Sequence, residues 1–428
     1  MPSGFYIIMA AQFFSALADN ALLIVAIAVL RDLQVPDEYV PILKISFAVS
    51  YVALAAFVGA FADSMPKWRV MFISNGIKIL GCMMMLLGTH PLIAYAVVGL
   101  GAAAYSPAKY GILTEYLPHR LLVLANGWIE GLTVAAIILG VTLGGALFTD
   151  GAIRVLLAVP LPFLDTHIEM AVALVGLIYI VAAIINLHVP DTGVDHKPLK
   201  KNPLYLMHEF GHCVALLWRD KLGQISLAVT TLFWGAAAAL QLIVIKWAED
   251  KLGMAYSSAS MLQGTVAVGV AIGATLAARF ITLKKSVRVI PLGIVMGFVV
   301  LIMNFVPDSK IAIPILIAIG ALSGFFVVPM NALLQHRGHI LMGAGHSIAV
   351  QNFNENVSVL LMAAIYFLML KANMSISWVI TLFGLFVSGI MCLIRLRHLQ
   401  NQCQHDSVAH LDDNGVHGQP RKKRKLPG

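Results

Sequence analysis

Residues 4–30 read GFYIIMAAQFFSALADNALLIVAIAVL, an almost wholly apolar run with Asp19 and Asn20 near its middle. About 20 apolar residues are enough for an α-helix to cross a bilayer. A carboxylate at that depth costs about 2.5–3.5 kcal/mol even on the lenient insertion scale, so it needs a partner, water or a polar cargo. The stretch therefore predicts a membrane span that handles something polar.

The whole chain has the composition of a polytopic membrane protein. Its 428 residues are 59% hydrophobic and 12% charged, against about 45–50% and 25% in ordinary soluble domains. This composition excludes a soluble domain. More ionisable residues lie at the depth of predicted spans and repeat the signal of Asp19, namely Lys78, Lys109, Glu115, Glu130 and Glu355.

Twelve apolar runs are long enough to cross a bilayer, and they are unbroken rather than alternating, which indicates helices and not barrel strands. We therefore expect an all-α polytopic membrane protein with twelve transmembrane helices. The four cysteines form no CxxC pair and are expected to be free thiols. The predicted spans are 5–30, 41–61, 69–88, 91–116, 121–148, 168–188, 223–248, 257–281, 285–306, 311–335, 343–370 and 374–394.

Most of the 29 Lys and Arg residues fall in the links after spans 2, 4, 6, 8 and 10 and in the C-terminal tail. We call this face of the protein the basic side. Because positively charged links stay in the cytoplasm, we expect the basic side and both termini to be cytoplasmic. Membrane orientation therefore explains the net charge of +8, and we expect no nucleic-acid partner.

The longest polar stretch lies halfway along the chain and divides it into two halves. We expect six-helix halves at 1–189 and 223–396, a central cytoplasmic loop at 190–222, and a disordered basic tail at 397–428 that makes weak contact with membrane lipids. Within the loop, Pro203–Trp218 has the apolar spacing of an amphipathic helix on the membrane surface.

The two halves repeat the same polar features at nearly constant offset. Pro107 in span 4 corresponds to Pro329 in span 10, and Asn126–Glu130 in span 5 corresponds to Gln351–Glu355 in span 11. Two parallel six-helix repeats around a midplane site are the major facilitator arrangement. We therefore expect two pseudo-symmetric six-helix halves.

The link between spans 2 and 3, GAFADSMPKWRV at 59–70, resembles the loop signature of major facilitator proteins. In that signature a Gly-x-x-x-Asp is followed by basic residues. The usual Arg after the Asp is Ser64 here, which implies a weaker latch. The alternative is a turn that carries positive-inside charges. The resemblance implies a conformational latch made of Gly59, Asp63, Lys67 and Arg69.

Several more segments are similar to the bacterial lysophospholipid transporter family of the major facilitator superfamily. The similarity leaves out only the central loop and the tail. It implies alternating access and facilitated diffusion of lysophospholipid, chiefly lysophosphatidylethanolamine, from the outer to the inner leaflet of the bacterial inner membrane. A separate acyltransferase, dependent on acyl-ACP, would restore the missing chain, and no cofactor is implied. The segments are AQFFSALADNALL (11–23), GLGAAAYSPAKYG (99–111), LFWGA (232–236), GFFVVPMNALLQHRG (324–338) and AVQNFNEN (349–356).

Such a cargo has a phosphate that requires a cation and an ammonium that requires a carboxylate. Asp19, with Asn20 beside it, is the best candidate for the ammonium, and Lys109 is a candidate for the phosphate. Each has a structural alternative, because Asp19 could pair with Lys78 or Lys109, and Lys109 with Glu130. We expect Glu130 and Lys78 to be a structural charge pair.

The C-terminal half offers a second polar group. Glu355 shares a helix face with Gln351 and lies near Asn352, so it would hold the ammonium or balance Lys109. The resemblance implies a basic residue a few positions beyond the FWGA segment. This chain has Gln241 there, which donates hydrogen bonds but supplies no charge.

Two rival functions remain open. A proton-coupled major facilitator exporter of amphipathic drugs would use Asp19 or Glu355 as its titrating group. His208-Glu209-Phe210-Gly211-His212 is a formal HExxH zinc motif, which would suggest a membrane metalloprotease. The motif lies on the polar face of a surface segment and has no convincing third ligand, so we expect neither a metal nor an enzyme.

Overall fold

The structure is a computed structural model. Over the ranges it describes, regular structure is helical and no strand occurs. Twelve helical segments are long and apolar enough to cross a membrane, which confirms the predicted all-α polytopic fold. The described residues are 1–35, 40–158, 164, 166–196, 198–200, 202–254 and 256–404.

The described ranges contain fourteen α-helices. Short 3₁₀ segments at His119–Leu121, Leu283–Val289 and Met303–Phe305 extend the fifth and eleventh helices. The helices are α1 (Ser3–Asp32), α2 (Val40–Asp63), α3 (Lys67–Leu86), α4 (Pro91–Tyr116), α5 (Leu122–Ala146), α6 (Asp150–Leu157), α7 (His167–Asn186), α8 (Pro203–Arg219), α9 (Gly223–Leu252), α10 (Tyr256–Phe280), α11 (Ile290–Ile302), α12 (Ser309–Met342), α13 (Ala344–Lys371) and α14 (Ile376–Gln404).

Most predicted spans agree with these helices to within a few residues. The segment predicted to be an amphipathic helix forms α8, whereas the short helix α6 was not predicted. α12 continues through Pro329 to Met342, and α14 continues to Gln404, inside the predicted tail. The rest of that tail, including its RKKRK run, lies outside the described residues.

Local signals explain where two helices begin. The Thr166 hydroxyl accepts a hydrogen bond from the Glu169 N–H at 3.2 Å, and the Glu169 carboxylate accepts one from the Thr166 N–H at 2.9 Å. This reciprocal capping box starts α7. At the start of α8, the Asn202 side chain accepts a hydrogen bond from the Leu204 N–H at 3.1 Å. Pro203 occupies the first helical position, where its lack of an N–H leaves no donor unsatisfied.

The helices before residue 190 pack mainly on one another, and so do the helices after residue 222. In the first set α1 packs on α5 and α7, and in the second set α10 packs on α12 and α9 on α13. Small residues permit the closest approaches. A Cβ placed on Gly273 of α10 would collide with the Ala321 carbonyl oxygen of α12. We call these two sets the N-terminal and C-terminal halves.

The two halves contact each other at the basic side. A Cβ on Gly59 of α2 would lie 3.0 Å from the Ala349 Cβ of α13, and one on Gly127 of α5 would collide with Ala278 of α10. Helix α8 packs on both α2 and α13, and the Phe210 ring lies edge-on to the Phe353 ring at 5.4 Å. These contacts close the basic side beneath a polar cavity.

Candidate functional site

A cavity of about 260 Å³ lies between the two halves, with walls from α1, α2 and α4 on one side and α9, α12 and α13 on the other. Aromatic residues, including Phe47, Tyr51 and Trp234, contribute to its lining. The cavity therefore brings together side chains that are more than 300 positions apart in the sequence. Five of the predicted cargo-binding residues line it, namely Asp19, Lys109, Gln351, Asn352 and Glu355.

Asp19 is held by a structural partner. The Lys78 ammonium lies 2.8 Å from its carboxylate, and the Tyr179 hydroxyl donates to the same carboxylate at 2.7 Å. Lys78 also donates to the Ser15 hydroxyl at 3.0 Å. The side chain of Lys78 is 1% exposed and that of Asp19 is 22% exposed. The ion pair therefore joins α1 to α3 and α7, and one edge of Asp19 still faces the cavity.

Lys109 supplies the cavity with a cation. Its ammonium lies 4.9 Å from the centroid of the Tyr110 ring, and its carbonyl oxygen accepts from the Gln12 side chain at 3.0 Å. Among the described residues no carboxylate oxygen lies within 4.0 Å of this ammonium. Neither structural pairing that the sequence allowed for Lys109, with Asp19 or with Glu130, is formed at that distance.

A chain of carboxyl and carboxamide groups crosses the floor of the cavity. The Gln351 Nε2 donates to the Glu355 carboxylate at 2.7 Å and to the Asn331 Oδ1 at 3.0 Å. The Asn331 Nδ2 then approaches the Glu130 carboxylate at 3.5 Å. Glu355 belongs to the C-terminal half and Glu130 to the N-terminal half, so the chain links the two halves.

Two amide contacts extend this floor toward the basic side. Asn126 and Gln335 exchange a pair of hydrogen bonds, each 2.9 Å, between α5 and α12. Asn352 donates to the Ser106 hydroxyl at 2.8 Å, between α13 and α4. Because these side chains are buried and carry no charge, they can seal the floor while still allowing it to separate.

Two predicted cargo-binding residues lie away from this cavity. Asn20 donates to the Ala16 carbonyl oxygen of its own helix at 2.8 Å. Gln241 lines a second cavity of about 160 Å³, mainly apolar, in which Glu130 is the charged residue. Trp234 lines both cavities, so they adjoin each other.

The prediction that Glu130 and Lys78 form a structural charge pair is wrong. Lys78 is bound to Asp19, and Glu130 faces Asn331 of the opposite half. The sequence indicates that both groups are at span depth, but the rotation of α3 and α5 about their axes decides which way each side chain points. That rotation is set by packing between helices.

Two of the four predicted latch residues, Asp63 and Lys67, lie together at the start of α13 on the basic side. The Asp63 carboxylate accepts from the backbone N–H groups of Gly345 at 2.7 Å and His346 at 3.1 Å, which begin α13. The His346 Nδ1 lies 2.7 Å from the same carboxylate, and the Lys67 ammonium lies 3.0 Å from it. A carboxylate at a helix N-terminus is favoured by its free N–H groups and its dipole.

Of the other residues of the loop signature, some belong to the contact between Asp63 and α13 and one does not. Lys67, which is 3% exposed, also pairs with Glu115 at 3.1 Å, so Glu115 belongs to the same buried charge cluster. Gly59 permits the close approach of α2 to α13. Arg69 is exposed and stacks its guanidinium 5.1 Å from the Trp68 ring centroid, so it lies outside the contact.

Sequence reasoning missed two partners. Tyr179 binds Asp19 from a helix 160 positions away, and a tyrosine within an apolar span carries no signal of its own. His346 binds Asp63 from 283 positions away. Its position after a glycine at the start of a span was the one available signal, because such a segment offers free backbone N–H groups.

The HExxH segment shows no metal-binding arrangement. His208 and His212 are exposed on α8. Within the described ranges no group of three or more His, Cys, Asp or Glu residues could hold a metal ion. The neighbouring carboxylates of the tail, Asp412 and Asp413, lie outside those ranges.

Comparison with known proteins agrees with this architecture. Solved structures with the same fold include the Escherichia coli fucose:proton symporter FucP, at 14% identity and a TM-score of 0.70, covering 92% of this chain and 98% of that one. They also include the human organic anion transporter MFSD10, at 13% identity and a TM-score of 0.71, covering 93% and 100%. At such identities the likeness shows the fold alone.

Sequence relatives are closer. The model of the Major Facilitator Superfamily matches residues 8–353. The lysophospholipid transporter LplT of Yersinia enterocolitica is 40% identical over 374 residues, which cover 87% of this chain and 89% of the relative. That of Yersinia pestis strain Pestoides F is 41% identical over 365 residues, covering 85% and 86%. The chain therefore belongs to the Major Facilitator Superfamily and, within it, to the LplT family of lysophospholipid transporters.

Proposed function

We propose that this chain moves lysophospholipid, chiefly lysophosphatidylethanolamine, from the outer to the inner leaflet of the bacterial inner membrane. The observation that carries the proposal is the midplane cavity shared by both halves, in which Lys109 and Glu355 are not paired with each other or with another charge among the described residues. A zwitterionic head group supplies one charge of each sign. The name of the relatives supports the same cargo.

The orientation follows from the positive-inside rule, which makes the basic side and both termini cytoplasmic. With that orientation, the contacts between the halves close the cytoplasmic side of the cavity, as we expect for an outward-facing state. In this state the cavity receives cargo from the outer leaflet. The second, mainly apolar cavity beside Trp234 leaves room for the acyl chain, with Glu130 as the one charged residue among its described lining residues.

Transport then requires the cytoplasmic contacts to separate. We propose that residues 1–189 and 223–396 move as two units, and that the latch of Asp63 on the start of α13 holds the closed state. The loop at 190–222 connects the two units through α8. Movement of this kind needs no covalent chemistry, so the chain acts as a transporter and not as an enzyme. A separate acyl-ACP-dependent acyltransferase then restores the missing chain in the inner leaflet.

The experiment is uptake of labelled lysophosphatidylethanolamine by spheroplasts that lack their own transporter, with and without an uncoupler. We expect uptake by the intact protein, survival of that uptake in the uncoupler, and loss of at least about tenfold in Lys109→Ala, because a phosphate loses its charged partner. The matched control is Lys246→Ala, since Lys246 is 43% exposed and pairs with Asp250 at the end of α9.

A second candidate function is proton-coupled export of amphipathic drugs. It is favoured by Glu355, which is 7% exposed in the cavity and has no basic group within 4.0 Å among the described residues. In the same spheroplasts, absent lysolipid uptake together with drug efflux that stops in the uncoupler would replace the first proposal with this one.

A further inference from the structure

Helix α8 carries two apolar stripes, and the rest of the described protein covers only one of them. The first stripe consists of Leu206, Phe210, Cys213 and Leu217, which are spaced three and four residues apart as on one face of a helix. Leu206, Cys213 and Leu217 are buried, and α8 packs on α2, α9, α12 and α13. The first stripe therefore fixes the helix to both halves.

The second stripe lies beside the first and is exposed. Leu204 is 76% exposed, Met207 56% and Trp218 40%. Gly211 and Val214 complete the stripe at alternating spacings of three and four residues, so these residues share one side of α8. A contiguous exposed apolar surface of this kind marks a place of contact with a membrane or another protein.

The depth of α8 indicates what the second stripe faces. Phe210 packs in one cluster with Val58 of α2 and Ala349 of α13. The Trp218 indole donates to the Asn354 Oδ1 at 3.3 Å, and Asn354 lies about 15 Å along α13 from its first residue. Helix α8 therefore lies against the sides of two spans and not below their ends. With the basic side in the cytoplasm, its second stripe faces the inner leaflet.

Cations flank the second stripe at both ends of α8. Lys200 precedes the helix and is exposed, Arg219 is the exposed last residue of the helix, and Lys221 follows it. The acid between the last two, Asp220, is already bound by Arg337 at 2.6 Å. An apolar stripe bordered by cations is the pattern of a helix that lies in the interface of an anionic membrane.

We propose that the second stripe of α8 is a docking surface for the anionic phospholipids of the inner leaflet. Its apolar side chains enter the boundary between head groups and acyl chains, with Trp218 at the level where indole rings are favoured. The cations at its two ends meet lipid phosphates, and the polar side of the helix, with Glu209 and His212, faces the cytoplasm. The leaflet thereby holds the connector of the two halves at a fixed depth. This proposal rests on the proposed orientation and not on the cargo.

A second copy of the chain fits this surface less well. In a symmetric dimer the same patch meets itself, so Lys200, Arg219 and Lys221 of one copy would approach the same cations of the other. Like charges repel, whereas lipid phosphates neutralise them. The charge of the surface therefore favours an anionic leaflet as its partner.

A fluorescent label tests where the stripe lies. It is attached at Met207→Cys on the stripe or, as the matched control, at His212→Cys on the polar side of the same helix, in the intact protein without its native cysteines. The vesicles contain phosphatidylethanolamine and phosphatidylglycerol. We expect brominated lipid to quench the label at position 207, and iodide present on both sides of the membrane to quench the label at position 212.

The choice of lipid is tested with the same label at position 207. Brominated phosphatidylglycerol should quench it more strongly than brominated phosphatidylcholine does. The double variant Arg219→Gln/Lys221→Gln should lower this preference by about fivefold for each charge removed. The matched control, Lys285→Gln/Arg288→Gln, removes two exposed cations from another link of the basic side and should leave the preference unchanged.

Three results would overturn the proposal. Equal quenching by iodide at positions 207 and 212 would mean that the stripe lies in water. Protection of position 207 from iodide and from brominated lipid would mean that a second copy or another protein covers it. Equal quenching by the two brominated lipids would mean that the surface does not select anionic lipid. None of these results depends on lysolipid uptake, so failure of this proposal is distinguishable from failure of the proposed function.

Discussion

The role of each buried charged residue in this protein depends on whether the fold places an oppositely charged partner beside it. The sequence placed Asp19, Lys78, Lys109 and Glu355 inside spans, which needs only hydropathy and length. It left open which of them pair, because the partners come from helices whose rotation depends on packing. Once Asp19 is paired with Lys78, Lys109 and Glu355 remain as the charges without an ionic partner in the described part of the cavity.

The ion pair of Lys78 with Asp19 should be a large contributor to stability. Lys78→Met leaves a mostly buried carboxylate without its cation, which we expect to lower the free energy of unfolding by about 3 kcal/mol. The double variant Asp19→Asn/Lys78→Met should recover more than half of this loss, because neither charge is left unpaired. Thermal unfolding in detergent measures both. Equal stability of Lys78→Met and the exposed control Lys246→Met would contradict the prediction.

At the scale of helices, the latch should depend on the Asp63 carboxylate. Asp63→Asn removes its charge and puts an N–H₂ group against the N–H donors of Gly345 and His346. We expect the equilibrium to shift at least about tenfold toward separation of the basic side. Spin labels at Arg120→Cys and Lys285→Cys, both exposed and on opposite halves, would report a longer distance in a protein cleared of its native cysteines.

Arg69 provides the control for this prediction. It belongs to the loop signature but is exposed and lies against Trp68, outside the cross-half contact. Arg69→Gln should therefore leave the distance between the two labels unchanged. If Arg69→Gln opened the basic side as far as Asp63→Asn, the latch would be an effect of the loop's total positive charge.

The helices themselves were largely predictable and their interfaces were not. Spans such as α4 follow from unbroken apolar runs, and α8 follows from the spacing of its apolar residues. Helix α6 has only eight residues, which is below the length at which an apolar run is recognised as a span. The partner of Asp63 could not be deduced, because it depends on how α13 meets α2 across the whole chain.

At the scale of the whole molecule, the contact between the halves should have to break in each transport cycle. A Cβ on Gly111 of α4 would lie 3.2 Å from the Ala344 Cβ of α13, close to the separation found in disulfides. We expect Gly111→Cys/Ala344→Cys, in a protein without its native cysteines, to lose lysolipid transport on mild oxidation and regain it on reduction.

The matched control is a crosslink within one half. A Cβ on Gly99 of α4 would lie 3.4 Å from the Ser50 Cβ of α2, so Ser50→Cys/Gly99→Cys can form a bond of similar geometry inside the N-terminal half. Because each half is expected to move as a unit, this crosslink should leave most transport intact. Equal loss in both pairs would mean that the helices of one half rearrange during transport. Full activity of the oxidised cross-half pair would mean that cargo crosses without opening of the basic side.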